Sequence, residues 1–329
     1  MKKQIFEYSI FEDLEEDKIN EMNVQEILLS KNGMAIVKIA EILLSAEIGE
    51  KIPTVAELTK STGLANGTVH HALKILTETH AVDIVSKGHM GSYLMGKDYK
   101  LLLDIAGIKY LIGAMPLPYT KRYEGLASGL ISAMENGYNI PVNLSYMRGA
   151  KNRISMVIYE RYDFAIVSKL AAEEYLKDHD DISVVLSFGP LTYTSNHAIM
   201  FHDENSKSIE DGMTVGIDRS SIDQVMLLKK ECDGKKVKFV EIEYSHIIEH
   251  VIKGDIDATV MNIDEVNDRG LRINYTPLVK EEDDSNTTAV MVVKSKNKEI
   301  GELLKKIIDP KTVLQIQKQV LEGKIQPSY

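Results

Sequence analysis

The sequence predicts a winged helix-turn-helix of the α+β class followed by a two-lobed α/β domain, and three observations carry that prediction. Residues 49–94 read as two short helices around a glycine turn, then a short hairpin. From Ala114 onward strands alternate with amphipathic helices, the mark of a parallel α/β sheet. The alternation also repeats. Tyr162-Asp163-Phe164-Ala165-Ile166-Val167 is echoed by Gly254-Asp255-Ile256-Asp257-Ala258-Thr259-Val260, which favours two similar lobes over one large sheet.

Size and composition agree with this division. A chain of 329 residues holds two or three units at roughly 100–200 residues per domain. Hydrophobic residues make up 44% and charged residues 27%, ordinary for a soluble protein that buries a core without staples. The single cysteine, Cys232, excludes an intramolecular disulfide and a cysteine-based zinc cluster, and fits a reducing compartment. Glu7 interrupts the first apolar stretch, so no signal peptide is expected. No apolar run is long enough to span a bilayer. The expectation is a cytoplasmic protein with no membrane partner. A net charge of −10 argues against a broadly basic surface, while leaving room for a local DNA-reading face.

The first third is read as an acidic arm (1–31) and a winged domain (32–96). Residues 12–21 (EDLEEDKINE) are strongly acidic. Ile36, Ile39, Ala40 and Leu43 then recur at helical spacing, with Gly49 as a stop. Thr54 is placed as the N-cap of the next helix, and Glu57 completes a capping box. Gly63 makes the turn. The second helix opens near Ala65 and turns Val69, Leu73 and Leu76 inward. AVDIVSK and SYLMG form a hairpin around Gly88-His89-Met90-Gly91. In such an arrangement the second helix lays its early residues in a DNA major groove. The candidate DNA contacts are Thr54, Asn66, Gly67, Thr68, His70, His71 and Lys74 on the helices, and Lys87, Gly88 and His89 in the wing.

Pro53, Thr54, Glu57, Leu58, Thr68, Val69, Ala72, Leu73, Gly91, Ser92 and Tyr93 give this segment a pattern that resembles the DNA-binding head of GntR-type regulators. The Ser-Arg that opens the recognition helix in that group is Ala65-Asn66 here, and the arginine after the valine is His70. The first arginine of the chain is Arg122. Residues 60–100 carry five lysines (60, 74, 87, 97, 100) against Glu78, Asp83 and Asp98, a net +2. That is a modest footprint with few phosphate contacts, although Asn66 retains the ability to read adenine. The alternative is a head that serves protein interaction or dimerisation without DNA.

The rest is read as a connector (97–113) and a two-lobed effector domain (114–329). Its segments are YLIGAMPLP, the helix 122–136 with Leu126, Leu130 and Met134 in register, VNLSYM, AKNRISMVIYE, DFAIVS, AAEEYLKDHD, VVLSF and HAIMF. TVGID, SSIDQVMLLKKEC, VKFVEIEY, SHIIEHVIKG and DIDATVMN repeat the scheme, and two helices broken at Pro310 close the chain. The doubled lobe is similar to the periplasmic-binding-protein-like fold of type II. Leu126–Leu130 with SAMEN (132–136), YMRGAKNRI (146–154), YDFAIVSKLAAEEY (162–175), FGP (188–190), DGMTVGID (211–218), SIDQ (221–224) and DATVMN (257–262) make the whole chain resemble the YhfZ family. That resemblance implies a transcriptional regulator in which a helix-turn-helix precedes a lobe pair.

Ligands of such folds bind between the lobes, where strand ends and helix N-termini offer free N–H groups to an anion. Arg148, Gly149 and Ala150 join a strand to a helix, and the Arg148 guanidinium suits a carboxylate or phosphate. Ser168 and Lys169 follow a strand, Tyr193 and Ser195 follow the crossover, Asp218, Ser220 and Ser221 open a helix, and Asn262 ends the last lobe strand. Helix capping by Asp218, Ser220 or Ser221, and a surface ion pair for Arg148, are the structural alternatives.

His246-Ile247-Ile248-Glu249-His250 fits an inverted zinc-protease pattern. It sits on a helix whose Ile247, Ile248, Val251 and Ile252 form a buried stripe, and no third ligand presents itself. No enzyme, metal or cofactor is therefore expected, an enzyme on the same fold being the alternative. The reading is a homodimeric regulator that binds a double-stranded DNA operator and senses a small anionic metabolite.

Overall fold

The computed structural model describes residues 30–279 and 284–329, in two compact units that divide between Gly107 and Ile108. Of the expected acidic arm, residues 1–29 lie outside the described residues.

The first unit opens with α1 (Lys31–Ser45), which buries Ala35, Ile39, Ala40, Leu43 and Leu44. The helix-turn-helix follows as α2 (Val55–Thr62) and α3 (Asn66–Glu78). Thr54 accepts from the Glu57 N–H at 3.3 Å while its own N–H donates to the Glu57 carboxylate at 2.7 Å. This capping box fixes where α2 begins. Gly63 ends it at φ 71°, a left-handed conformation that glycine adopts at no cost. Val69, Ala72 and Leu76 put one face of α3 in the core, against α1. The wing is β1 (Val82–Ser86) paired antiparallel with β2 (Ser92–Lys97). Gly49–Ile52 runs along its edge, with the Ile52 N–H bonded to the Ser92 carbonyl at 2.9 Å. Lys97 Nζ donates to the carbonyls of Leu43 (3.0 Å) and Ala46 (2.7 Å), satisfying the open end of α1 and tying it to the wing. α4 (Tyr99–Ile105) packs on α1 through buried Leu102 and Leu103. The residues expected to connect the domains, 97–113, thus divide between a helix of the head and the first strand of the second unit.

That unit has two lobes. In the first, β3 (Leu111–Met115), β4 (Val142–Tyr146), β5 (Phe164–Ser168), β6 (Ile182–Ser187) and the returning β12 (Ala289–Lys294) form a sheet of order β4-β3-β5-β12-β6. In the second, β7 (His197–Phe201), β8 (Thr214–Ile217), β9 (Lys238–Glu241), β10 (Ala258–Asn262) and β11 (Asn274–Pro277) form the order β11-β7-β10-β8-β9. The helices are α5 (Lys121–Ile131, continued as a π-turn Ser132–Asn136), α6 (Ala150–Ile158), α7 (Lys169–Leu176), α8 (Ile222–Glu231), α9 (Tyr244–Lys253), α10 (Ile263–Arg269), α11 (Lys298–Ile307) and α12 (Pro310–Leu321).

The sequence predicts parallel sheets, and each sheet is instead mixed. β12 runs antiparallel to β5 and β6, and β7 antiparallel to β10. These strands enter their lobes straight from a crossover, at the end where the other strands finish, so they run the opposite way. β7 lies buried on both faces. Ile199 and Phe201 join one core cluster, and Ala198 and Met200 the other. α10, β11 and β12 add to the elements that periodicity predicts. The run Ala289-Val-Met-Val-Val293 has no alternation to assign it, because both its faces are covered.

The chain passes between lobes twice, through Phe188–Asn196 and again before Ala289. The two passages bond to each other. The Thr287 carbonyl accepts from the Thr192 and Tyr193 N–H groups at 3.1 and 2.8 Å, and the Thr192 hydroxyl accepts from the Ala289 N–H at 2.9 Å. Buried Gln317 on α12 donates to the carbonyls of Thr192 (2.8 Å) and Arg122 (2.9 Å). α12 reaches this point because Gly125 and Gly129 face it from α5. A Cβ at Gly125 would lie 2.9 Å from Gln317 Cα, and one at Gly129 would lie 2.6 Å from the Val313 carbonyl oxygen. Glycine to alanine inside a helix normally gains about 1 kcal/mol. Gly129→Ala is expected to reverse that sign and cost about 1–3 kcal/mol through overpacking. Thermal unfolding should register a drop of about 3–10 °C for a unit of this size.

Candidate functional site

The C-terminal ends of β3, β4 and β5 face those of β8 and β10 across the gap between the lobes. A cavity of about 60 Å³ lies there, against about 300–1,000 Å³ for pockets that hold drug-sized ligands. The first lobe contributes Pro116, Leu117, Tyr119 and Tyr123, then Arg148, Gly149, Ala150 and Arg153. Tyr193 comes from the crossover. The second lobe contributes His197, Ser221, Asp223, Gln224, Tyr244, Val260, Asn262 and Glu265.

Several contacts join the lobes around this cavity, among them Arg122 Nε donating to Asp264 at 2.9 Å. Ser168, which caps α7 by accepting the Ala171 N–H at 3.0 Å, donates its hydroxyl proton to the Asp223 carboxylate. Arg148 Nε lies 3.8 Å from Asp218, and its Nη1 lies 2.8 Å from Glu243 without the alignment of a hydrogen bond. Gly149, at φ 76°, sits so close to Ser220 that a Cβ would come within 2.5 Å of the serine Oγ. Asp218 is locked in turn by the Ser220 N–H and hydroxyl (2.8 and 2.6 Å) and the Tyr244 N–H (2.9 Å).

Arg153 is 3% exposed and donates to the carbonyls of Ile166 (2.9 Å) and Met147 (2.8 Å) and to the Tyr193 hydroxyl (2.9 Å). It therefore braces the strand ends. Burial raises the Asp223 carboxyl above the usual range, while the Ser168 hydrogen bond and Arg153 pull it back. Burial likewise raises Glu265, opposed by its bond from Arg269 at 2.8 Å. Buried side-chain atoms without a hydrogen-bond partner gather around the cavity, among them Arg148 Nη1, His197 Nδ1, Asn262 Nδ2 and Glu265 Oε2. Buried polar atoms are nearly always hydrogen-bonded, so these exceptions set the cavity wall apart from the rest of the interior.

Of the residues singled out from sequence, Arg148, Gly149, Ala150, Tyr193, Ser221 and Asn262 come together on the cavity wall. Ser168, Asp218 and Ser220 lie behind it in the interlobe contacts. Lys169 instead faces Glu173 at 3.4 Å, and Ser195 donates to Asp264 at the start of α10. Sequence reasoning missed Arg153, His197, Asp223, Gln224, Glu265 and the remaining tyrosines. A signal existed for some of them. Arg153 interrupts the apolar stripe of Ala150, Ile154 and Val157, and the polar pair Asp223-Gln224 falls on the buried face of α8. His197 had none, since it opens a strand whose direction was not foreseen.

In the head, Asn66, Gly67, His70, His71 and Lys74 are exposed on α3, opposite its buried face, and Thr68 is half-buried. Lys87, Gly88 and His89 are exposed at the wing turn, with Lys87 Nζ 4.3 Å above the Tyr93 ring. Thr54 is engaged in the capping box, and Asn66 accepts from the Thr59 hydroxyl at 2.7 Å. The histidines of the zinc-like pattern stand apart from any metal geometry. His246 is exposed, His250 Nδ1 lies 2.9 Å from Asp255, and among the described residues no group of three His, Cys, Asp or Glu side chains could hold a metal ion. No helix among the described residues is long and apolar enough to cross a membrane.

The fold defines a helix-turn-helix protein whose second unit is a two-lobed α/β domain with a cavity between its lobes. Residues 47–94 match the family described as a helix-turn-helix domain, and residues 98–329 match the YhfZ C-terminal domain. The chain belongs to the YhfZ family. It is 33% identical over 311 residues to the protein named YhfZ of Escherichia coli strain K12, covering 93% of this chain and 100% of the relative. The crystal structure of YhfZ from Shigella flexneri is similar at 33% identity and a TM-score of 0.58, covering 70% of this chain and 97% of that one.

Burial pushes the His197 imidazole down to about 4, against the pull of the Asp264 carboxylate. The folded state thus resists a proton that the unfolded chain accepts from about pH 6.5 downward. Stability is unaffected above that value and is lost as the pH falls toward 4. Between pH 7 and pH 5 the wild type is expected to lose about 2 kcal/mol more than His197→Asn. Urea unfolding at the two pH values measures the difference. The raised carboxyls of Asp223 and Glu265 act in the opposite sense and are common to both proteins.

Proposed function

We propose that this chain is a ligand-responsive, DNA-binding transcriptional regulator that senses a small anionic metabolite in its interlobe cleft. The observation that carries the reading is the set of orphaned polar atoms in the cavity, on a chain that also bears a helix-turn-helix. The anionic group of the metabolite sits at Arg148, whose Nη1 is ion-paired with Glu243 at 2.8 Å but makes no aligned hydrogen bond, beside the backbone of Gly149 and Ala150 and the side-chain amide of Asn262. Ser168, Asp218, Ser220 and Ser221 set the arrangement of the lobes around it, while Lys169 and Ser195 sit outside the cavity wall, on Glu173 and Asp264.

The head acts as a homodimer on a two-fold operator, with half-sites about one helical turn or its multiple apart. Asn66, Gly67, Thr68, His70, His71 and Lys74 of α3 enter the major groove, Thr54 holds the preceding helix, and Lys87, Gly88 and His89 reach the flanking backbone. Ligand and operator are coupled only if the ligand binds one lobe arrangement more tightly than another. The protein works in the cytoplasm, without a catalytic step.

Selection of random duplexes by the full chain should return a two-fold sequence. Lys87→Ala is expected to weaken binding uniformly across sequences and to reduce the salt slope by about one. For the effector, a panel of small carboxylates and phosphates is screened by thermal shift on the full chain. A native-state ligand at 100 times its Kd stabilises by about 2.7 kcal/mol, and Arg148→Ala should cancel that shift. If a saturating hit left operator affinity unchanged, the coupling would be absent.

A further inference from the structure

The charges that line the cavity are Arg148, Arg153, Asp223 and Glu265, two of each sign. Asp218 and Glu243 stand behind Arg148 and add further negative charge on that side. A ligand bearing negative charge alone would enter a site that already holds two buried acids. The orphaned atoms make the same point in hydrogen-bond terms. Arg148 Nη1 and Asn262 Nδ2 can only donate, whereas the Glu265 Oε2 carboxylate oxygen requires a donor. Asn262 and Glu265 are 3% and 2% exposed, so water does not serve them as it would at a surface. A simple anion satisfies the two donors and leaves Glu265 Oε2 without one, its Oε1 being already bonded by Arg269. A simple amine does the reverse. Leaving either kind unsatisfied is costly in a buried site.

The walls beside these groups are aromatic. Tyr119 and Tyr244 have ring centroids 6.1 Å apart, and Tyr123 and Tyr193 lie 5.1 Å apart at 62°. Tyrosine rings attract an ammonium group through their quadrupole. The cavity of about 60 Å³ admits only a compact molecule.

We infer that the ligand is a compact zwitterion, its anionic group held by Arg148 and Asn262 and its ammonium group held by Glu265 among the tyrosines. This rests on the cleft being the sensor site, and it adds the positive half of the ligand.

Thermal shift on the full chain tests it with three matched panels: the twenty protein amino acids with taurine, the corresponding acids without the amine, and the corresponding amines without the acid. At least one zwitterion is expected to raise the melting temperature by about 5–10 °C at 100 times its Kd, with no comparable shift from its two truncated partners. Glu265→Gln keeps the shape and removes the charge. It should weaken that zwitterion about tenfold or more, as expected for a lost charged hydrogen bond, and leave any residual affinity for the matching acid unchanged. If an acid without the amine shifts the protein as much as its zwitterion, the zwitterion inference falls and the anion sensor stands. An amine that does so overturns the inference and makes the cleft a cation site. Silence from all three panels overturns the inference, and the sensor reading then stands or falls on the carboxylate and phosphate screen. The comparison of panels on the wild-type chain does not depend on how well any variant folds.

Discussion

Two narrow backbone passages carry the chain between the lobes, so how the lobes meet depends on side-chain contacts, foremost the polar ones of Ser168 with Asp223 and of Arg122 with Asp264. An apolar interface of the same extent would hold them together whether or not anything lay between. A hydroxyl donating to a buried carboxylate is different, because Asp223 resists ionisation where it sits and is kept in place by its partners. Breaking such a contact leaves a buried carboxyl without its hydrogen-bond partner, while forming it gains little net free energy. The contact therefore specifies one closed geometry without making it strongly preferred. That balance suits a cleft whose wall still has unmet hydrogen-bonding capacity.

The rest of the second unit keeps this meeting point in register. Arg153 ties the ends of β4 and β5 to Tyr193, so the first-lobe wall and the crossover move together. Gln317 then ties the crossover to α5 and α12. The two glycines of α5 are what allow that last link, since they bring α12 within reach of the Thr192 carbonyl. A helix late in the chain thereby braces a crossover more than a hundred residues earlier.

Much of this was readable from the residues alone. Thr54, Glu57 and Gly63 announce the helix-turn-helix because capping and left-handed turns depend on short local sequence. The βα alternation announces the lobes because amphipathic helices and apolar strands differ in period. Positions at strand ends, such as Arg148 and Asn262, follow from the same logic. The strands entered from crossovers were not legible. Their direction depends on where the chain leaves the other lobe, and β12 carries no alternation because both of its faces are buried. His197 and Glu265 were lost for related reasons: one opens β7, whose direction was not assigned, and the other lies on α10, a helix that periodicity did not reveal. The buried pair Asp223-Gln224 was legible in principle, as polar residues on an inward helical face, but its partner Ser168 is supplied by the opposite lobe.

Gly149 has a further consequence, for reading other sequences of this kind. Its backbone is left-handed and its missing side chain is where Ser220 rests, so two separate constraints fall on one position. A relative with any larger residue there, aligned with an intact Arg148 and Asn262, would keep these side chains yet hold its lobes apart. A single column of an alignment would then separate chains whose lobes can meet as they do here from chains whose lobes cannot.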